Sequence, residues 1–455
     1  MSTSTPALER RPRVPAQVYL LAAVIFCLGT SEFMIAGILE PLSADLGVSI
    51  PQAGLLITGF AVGMIVGAPA MTLLTLTLPR RATMIITIVG FAALHILAAL
   101  SPDYGLLMAT RVLSAFACGG FWAVAAVHTT RISPAAVQGR ALANLVGGLT
   151  VANLVGVPMG TWIGTQFGWR ATFWAVALVT ALAAVLITFT IRPDATVRPD
   201  TDSHDTDAEP SGDAPHTAEA KPGLRTLLRA ELAAFKGPRI WLALSTTALF
   251  QASVFASFSY FSPLLTRVAG LSPELVPAVL AAFGIGAFVG VVVGGRLADR
   301  NVFGNIIGSL AALAISLGAL WLCAENGVLA IIMIVLIGAS GFSIAGALNT
   351  RVFQIATDAP TLAASVNTSA FNVGNALGPA LGGWVIAAGL GFRAPIIVAI
   401  GLALAALIIV AVAIRVETRV LPKDRSVLRP RRVDSRSAAS SASRCPPRQM
   451  SDQTR

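Results

Sequence analysis

Apolar residues in this chain come in twelve long runs broken by short polar stretches. The runs lie roughly at 17–39, 52–78, 83–100, 105–128, 141–163 and 170–191, then 239–265, 275–295, 304–323, 328–349, 362–388 and 394–415. A hydrocarbon core ~30 Å thick needs about 20 helical residues, so each run is a candidate span. Strands of a membrane barrel alternate polar and apolar positions, and these runs do not, so the pattern predicts helices. Between the sixth and seventh runs the pattern stops. Asp194, Asp200, Asp202, Asp205, Asp207, Glu209, Asp213 and Glu219 mix there with Pro, Thr and Ala. That composition cannot bury enough apolar surface to fold alone and reads as a linker. Its later part, Leu224 to Phe235, has apolar residues at helical spacing among Arg225, Arg229 and Lys236, which suits a helix lying on a membrane surface. The expected organisation is a tail at 1–16, a six-helix bundle at 17–191, a polar linker at 192–237, a second six-helix bundle at 238–416 and a basic tail at 417–455.

The two bundles repeat one another. Phe60, Gly63 and Gly67 return as Phe283, Gly286 and Gly290 at an offset of 223. Thr130-Arg131 returns as Thr350-Arg351 at 220. Asn153, Gly156, Gly160 and Trp162 return as Asn375, Gly378, Gly382 and Trp384 at 222, and Gly168-Trp169-Arg170 as Gly391-Phe392-Arg393 at 223. Several matches in one order at one spacing point to duplication, and parallel repeats of this size in a membrane protein point to a transporter with its substrate path between the halves.

Composition agrees: 55% of residues are apolar, 12% charged, and the mean hydropathy is +0.77. The net charge of +10 does not signal nucleic acid, because its distribution follows the membrane. With the N-terminus in the cytoplasm, the short inner loops hold Arg80, Arg81, Arg131, Arg140, Arg296, Arg300 and Arg351, and the outer loops only Arg170, Arg267 and Arg393. That bias sets both termini on the cytoplasmic side of the cell's inner membrane. The Arg-rich tail suits retention or anionic lipid. Arg10-Arg11-Pro12-Arg13 before an apolar run imitates a signal peptide, but it lacks a small-x-small cleavage site, so it is read as an uncleaved first helix. Cys27, Cys118, Cys323 and Cys445 show no CxxC spacing, and His204 and His216 sit in the polar linker. No Walker-type phosphate loop, zinc spacing or Ser-His-Asp set occurs, so no cofactor, metal or enzymatic activity is expected.

The fifth span carries Gly148, Ala152, Gly156, Gly160 and Gly164, a small residue every fourth position. The eleventh repeats the device with Gly374, Gly378, Gly382 and Gly383. Such stripes let helix backbones approach closely in a membrane. Pro158 and Pro379 each remove a backbone hydrogen bond and can bend the helix. Here the chain resembles the major facilitator superfamily, in its twelve-helix drug:proton antiporter branch. Gly378-Pro379-Ala380-Leu381-Gly382-Gly383 matches that branch's helix 5 signature, and Gly156-Val157-Pro158-Met159-Gly160 is a looser copy. The resemblance covers residues 17–415 and implies an all-α membrane fold of two pseudo-symmetric six-helix bundles. Gly295-Arg296-Leu297-Ala298-Asp299-Arg300 is close to the superfamily's loop motif. It implies that Asp299 and Arg300 make charge contacts locking one conformation. The loop after the second span departs from the motif: Leu76 stands where Asp299 predicts an acid, and Arg80-Arg81 remain.

Two charges lie inside spans: Glu32, in Gly29-Thr30-Ser31-Glu32-Phe33-Met34, and Arg111 in the fourth span. A charge at that depth costs ~2.5–3.5 kcal/mol on insertion scales, so each is a candidate functional residue. The other half has no acid at the position of Glu32, which is the asymmetry a single proton site requires. Arg111 stands where the family's helix 4 Arg stands, although Ser114-Ala115 replace the following Gln-Gly. The expectation is therefore a proton-driven exporter, with Glu32 carrying the proton and Arg111 tuning it or orienting substrate. A nutrient facilitator without proton coupling and a membrane enzyme or receptor on the same scaffold are the other classes. Gly168-Trp169-Arg170-Ala171-Thr172-Phe173-Trp174, Ser257-Phe258-Ser259-Tyr260 and Leu390-Gly391-Phe392-Arg393-Ala394-Pro395 are similar to actinobacterial chloramphenicol exporters, while sugar- and purine-efflux relatives share several such stretches. The resemblance implies a small neutral drug, probed by an apolar cavity with a few hydrogen-bonding groups. Phe33, Phe121, Asn153, Tyr260 and Asn375 are the cavity candidates, with Ser31, Phe60, Trp122, Phe255, Ser257 and Phe258 beside them. The expected partners are drug, protons and the bilayer, and the chain is expected to act as a monomer.

Overall fold

The computed structural model describes residues 13–74, 78–191, 237–356 and 360–420. The linker expected at 192–237 (Gly237 apart), the first twelve residues, the tail beyond 420 and position 76 lie outside them.

Among the described residues, twelve helical segments are long and apolar enough to cross a membrane. They are α1 (Ala16–Gly37), α2 (Ile50–Met71), α3 (Arg80–Ala99), α4 (Tyr104–Ile132), α5 (Ala135–Phe167) and α6 (Trp169–Thr190), then α7 (Pro238–Arg267), α8 (Pro273–Arg300), α9 (Val302–Cys323), α10 (Gly327–Ile355), α11 (Val366–Leu390) and α12 (Ala394–Thr418). All twelve overlap the predicted runs. α4 and α10 each continue past the predicted end, through Thr130-Arg131 and Thr350-Arg351, where the apolar pattern is interrupted. Ends follow local chemistry: Asp103 accepts from Leu106 N at 2.9 Å to start α4, and Asn301 and Asn326 cap α9 and α10 in the same way. Large apolar side chains such as Phe189, Ile315, Leu322 and Trp384 point outward, as expected of lipid-facing helix surfaces. The described residues up to Ala413 belong to one compact unit.

The internal repeat is visible as repeated contacts. Within each half, α2 pairs with α4 as α8 does with α10, α3 with α4 as α9 with α10, and α1 with α5 as α7 with α11. A Cβ on Gly156 would lie 1.9 Å from Thr30 Oγ1, and one on Gly378 would lie 2.6 Å from the Ala252 carbonyl oxygen. Both positions of the first pair return in the second at the same offset of 222, with Ala252 in place of Thr30, so the two glycine stripes seat the same helix pair. Gly168 and Gly391 both take positive φ, 85° and 78°, at the α5–α6 and α11–α12 corners. After each corner comes an aromatic residue and an arginine. Arg170 pairs with Asp45 and donates to the Ser101 carbonyl at the end of α3. Arg393 pairs with Glu325 and donates to the Trp321 carbonyl at the end of α9. A hydrogen bond from the Trp169 indole, and then Arg170, hold the Asp45 carboxyl below its ordinary pKa.

The prolines act differently in the two copies. Pro158 follows a π-helical turn, Ala152–Gly156, that widens α5 around Asn153. Pro379 lies inside a continuous helix, and its carbonyl accepts from the Tyr260 hydroxyl at 2.8 Å.

The halves meet along two seams, α2 on α11 and α5 on α8. Thr58 Oγ1 donates to the Ala376 carbonyl at 3.0 Å, and Gly284 fits against the backbone of Asn153 and Leu154. At the end of the molecule carrying the short helix Leu39–Leu46, Arg267 Nε donates to Glu40 Oε1 at 2.7 Å and Thr266 Oγ1 to Glu40 Oε2 at 2.9 Å. These contacts close one end of the interface between the bundles.

Candidate functional site

The site begins at the end of α1. The α-helical part of α1 stops at Phe33 and tightens into a 3-10 turn at Met34–Gly37. Ser31 is buried and Glu32 partly buried, and around them four other helices contribute polar side chains.

On one side is Arg111 of α4, 1% exposed. Its Nη1 donates to Ser31 Oγ at 2.9 Å and its Nη2 to the main-chain carbonyl of Glu32 at 3.4 Å. The guanidinium stands 4.5 Å from the centre of the Phe60 ring of α2, a cation–π contact. Its Nε is buried without a partner. Arg111 thus reaches the backbone of Glu32 and not its carboxylate.

Beyond Ser31 is His95 of α3, 1% exposed. Nδ1 lies 2.8 Å from the Phe91 carbonyl oxygen, which only accepts, so the proton sits on Nδ1. The neutral ring then accepts at Nε2 from the Ser31 hydroxyl, 2.6 Å away. Ser31 Oγ keeps its lone pairs for Arg111. The imidazole packs on Phe91 at 4.1 Å and Phe173 at 5.9 Å between ring centres.

On the other side the Glu32 carboxylate crosses to the second half. Asn375 Nδ2 of α11 donates to Glu32 Oε1 at 3.1 Å. Asn375 Oδ1 accepts from Gln251 Nε2 of α7 at 2.8 Å. Phe33 faces Phe255 of α7 with ring centres 5.1 Å apart. A chain of polar groups therefore runs from His95 through Ser31 and Arg111 to Glu32, Asn375 and Gln251, flanked by Phe33, Phe60 and Phe255. An offset of 222 from Ser31 falls on Ser253, but from Glu32 on Val254 and from His95 on Leu317, so the titratable part belongs to the first half alone.

Of the residues expected from the sequence, Glu32, Arg111, Phe33 and Asn375 come together here. Asn153 does not join them: it lies in the α5–α8 seam and donates to the Leu149 carbonyl at 3.1 Å. Two expectations are corrected. Tyr260, 1% exposed, is a strut whose ring fills the space left by Gly54, Gly382 and Gly383 and whose hydroxyl is committed to Pro379. Phe121 is wholly enclosed and offers no surface to a cavity. His95 and Gln251 escaped the sequence reading, although a histidine among apolar residues of a span was a visible signal.

Gly295, Asp299 and Arg300 lie at the opposite end from Glu40 and Arg267, and all three are exposed. Asp299 and Arg300 make no ion pair or hydrogen bond with other described residues. Arg300 borders a cavity of about 440 Å³ between α8, α9 and α10. Three polar side chains deep in that cavity's wall are bonded within it: Asn305 donates to the carbonyls of Gly294 and Ser343, and Ser309 bonds to Asn305 and Ser343. They are satisfied without a ligand, which leaves the α1–α3–α4–α7–α11 cluster as the site with chemistry to spare. Among the described residues, no group of acidic, histidine and cysteine side chains is placed to hold a metal ion.

The family model of the Major Facilitator Superfamily matches residues 21–365. The chain belongs to that superfamily. It is 40% identical over 383 residues to a chloramphenicol resistance protein of Streptomyces lividans, covering 84% of this chain and 92% of the relative. It is 38% identical over 372 residues to the inner membrane transport protein YdhP of Escherichia coli strain K12, covering 82% and 89%. In fold it is similar to a bacterial homologue of the human lysosomal transporter Spinster in an inward-facing, unoccupied conformation, with a TM-score of 0.66 at 19% identity over 89% of this chain and 98% of that one. It also matches the nucleoside transporter NupG, with a TM-score of 0.68 at 13% identity over 88% and 100%. The chain is a multi-pass membrane transporter, not an enzyme.

Proposed function

We propose that this transporter exports a small neutral drug, chloramphenicol or a close analogue, in exchange for protons. One observation carries the reading: its ionisable Glu32 carboxyl is bonded by Asn375 directly to the opposite half. An ionised carboxylate accepts a charge-assisted hydrogen bond, and a protonated one accepts a weaker bond. Proton occupancy then changes a contact between the two moving bodies, which is how a ligand shifts a conformational equilibrium. The end closed by Glu40 and Arg267 is taken as the outer one, so the described conformation faces inward and the Asp299–Arg300 lock is released. The arginine bias puts the termini and the linker in the cytoplasm. Reagent applied to intact cells should then fail to label a cysteine placed in the linker.

The substrate assignment draws on the Streptomyces relative and on the site's make-up. Phe33, Phe60 and Phe255 offer aromatic surface, and Asn375 and Gln251 offer amides, beside the carboxyl. An uncharged drug leaves that carboxyl to the proton. One proton entering down ~100 mV yields about 2.3 kcal/mol, and each tenfold gradient of neutral drug costs ~1.4 kcal/mol. One proton per drug therefore sustains roughly a fifty-fold gradient, enough for resistance.

The test is accumulation of radiolabelled chloramphenicol in energised cells. Expression of the chain should lower accumulation and raise resistance, an uncoupler should restore accumulation, and Glu32→Gln should remove the effect with protein still in the membrane. Unchanged accumulation on expression defeats the substrate assignment. Uncoupler-sensitive export by Glu32→Gln at the wild-type rate defeats the proton assignment.

A further inference from the structure

The antiport reading leaves one question about the cluster: what keeps its cation off its acid. Arg111 and Glu32 are the charged side chains of the site and share a poorly solvated interior, where opposite charges attract far more strongly than in water. Yet Arg111 binds Ser31 and a main-chain carbonyl, and its Nε remains without a partner. A guanidinium with a spare donor and a carboxylate on the residue next to its anchor would ordinarily pair, in two-pronged geometry.

The anchor is Ser31, and Ser31 is oriented by His95. The Phe91 carbonyl fixes the imidazole proton on Nδ1, and Phe91 and Phe173 fix the plane of the ring. Nε2 accepts a hydrogen bond from the Ser31 hydroxyl, which turns the oxygen's lone pairs toward Arg111. We infer that His95 is a positioning residue that acts through Ser31 to hold Arg111 away from the Glu32 carboxylate, leaving that carboxylate free to exchange its Asn375 bond for a proton. His95 touches neither drug nor the exchanging proton. This inference rests on the antiport reading, and it assigns the regulation of that same site.

Without the His95 acceptor, the Ser31 hydroxyl turns, Arg111 loses its fixed acceptor, and the guanidinium moves to the carboxylate. Glu32 is then held ionised. Steps that require it to load a proton slow down. Steps that proceed through the ionised, drug-bound form continue, so the defect is confined to one mode of transport.

The experiment uses the purified full-length protein in liposomes with radiolabelled chloramphenicol as the probe. Two rates are read: net transport driven by an imposed proton gradient, and exchange of drug for drug with no gradient. His95→Phe keeps a ring between Phe91 and Phe173 and removes both nitrogens. Driven transport should fall about tenfold, the scale of losing a hydrogen bond to a charged group, while exchange stays near wild type. Ser31→Ala should show the same split, and the double variant should be no worse than either single, because both break one chain. His95→Gln, with an amide oxygen able to accept from Ser31, should recover part of the driven rate. Wild-type driven transport in His95→Phe overturns the inference, and so does an equal fall in both modes, which is what a purely structural role predicts. Glu32→Gln in the same liposomes separates the two readings. If it still couples, Glu32 is not the proton carrier and the reading on which this inference rests fails, and if it is uncoupled while His95→Phe is normal, only the His95 role fails.

Discussion

Glu32 and Asn375 are 343 residues apart in the chain and meet at 3.1 Å, joining α1 of one half to α11 of the other. The contact is polar, partly buried and reinforced by Gln251 behind Asn375. The seam next to it is held by backbone fit and by the Thr58 bond to the Ala376 carbonyl. Only the first contact changes character with a proton.

Asn375→Ala keeps the acid but removes its link to the opposite half. Gradient-driven drug transport should drop about tenfold, in line with a lost hydrogen bond to a charged partner. Transport into energised inverted vesicles measures it. A variant as fast as wild type would detach the contact from coupling.

Glu40 and Arg267 form an exposed clasp, with side chains 20% and 53% accessible. Screened pairs of this kind contribute about 0–1 kcal/mol, so Glu40→Gln should shift the balance of conformations no more than about fivefold. Joining the same ends covalently is a different matter. A Glu40→Cys/Arg267→Cys pair, oxidised, should stop transport, and a reductant should restore it. Transport that continues across the formed cross-link would place the moving interface elsewhere.

Among the described residues Asp299 and Arg300 have no ion-pair partner, and a lock that acts in the other conformation predicts this state. Asp299→Asn should slow turnover while leaving chloramphenicol affinity of the purified protein close to wild type. Equilibrium binding and liposome transport, measured side by side, decide it: lost affinity at a normal rate would contradict the gate.

Neighbouring glycines of α5 should respond in opposite ways. A Cβ at Gly148 would lie 2.3 Å from the Ala22 carbonyl oxygen, whereas one at Gly147 meets nothing within 4 Å. Gly148→Ala should destabilise by about 1–3 kcal/mol, the usual cost of overpacking, because backbone has to move. Gly147→Ala should be neutral or stabilise by up to ~1 kcal/mol through helix propensity. Thermal unfolding of the two purified variants reads the difference, and equal midpoints would mean that α1 and α5 are not in close contact.

Much of the architecture was legible in one dimension because a bilayer imposes a length and a polarity on every span. Twelve apolar runs and the 222-residue repeat therefore translated directly into helices and into two repeated halves, and the glycine stripes into close helix contacts whose partners the sequence did not name. Glu32 and Arg111 stood out for the same reason, as charges where hydrocarbon excludes them. The sequence by itself determined the spans, the duplication and the asymmetric acid. Only the tertiary structure decided who meets whom. It joined Asn375 to Glu32, gave Arg111 to Ser31 instead of the carboxylate, brought in His95 and Gln251, and withdrew Tyr260 and Phe121 into packing. Periodicity reports which face of a helix is apolar, but contacts between helices depend on their rotation and separation. Those are set by close packing over whole surfaces, which no local pattern in the chain encodes.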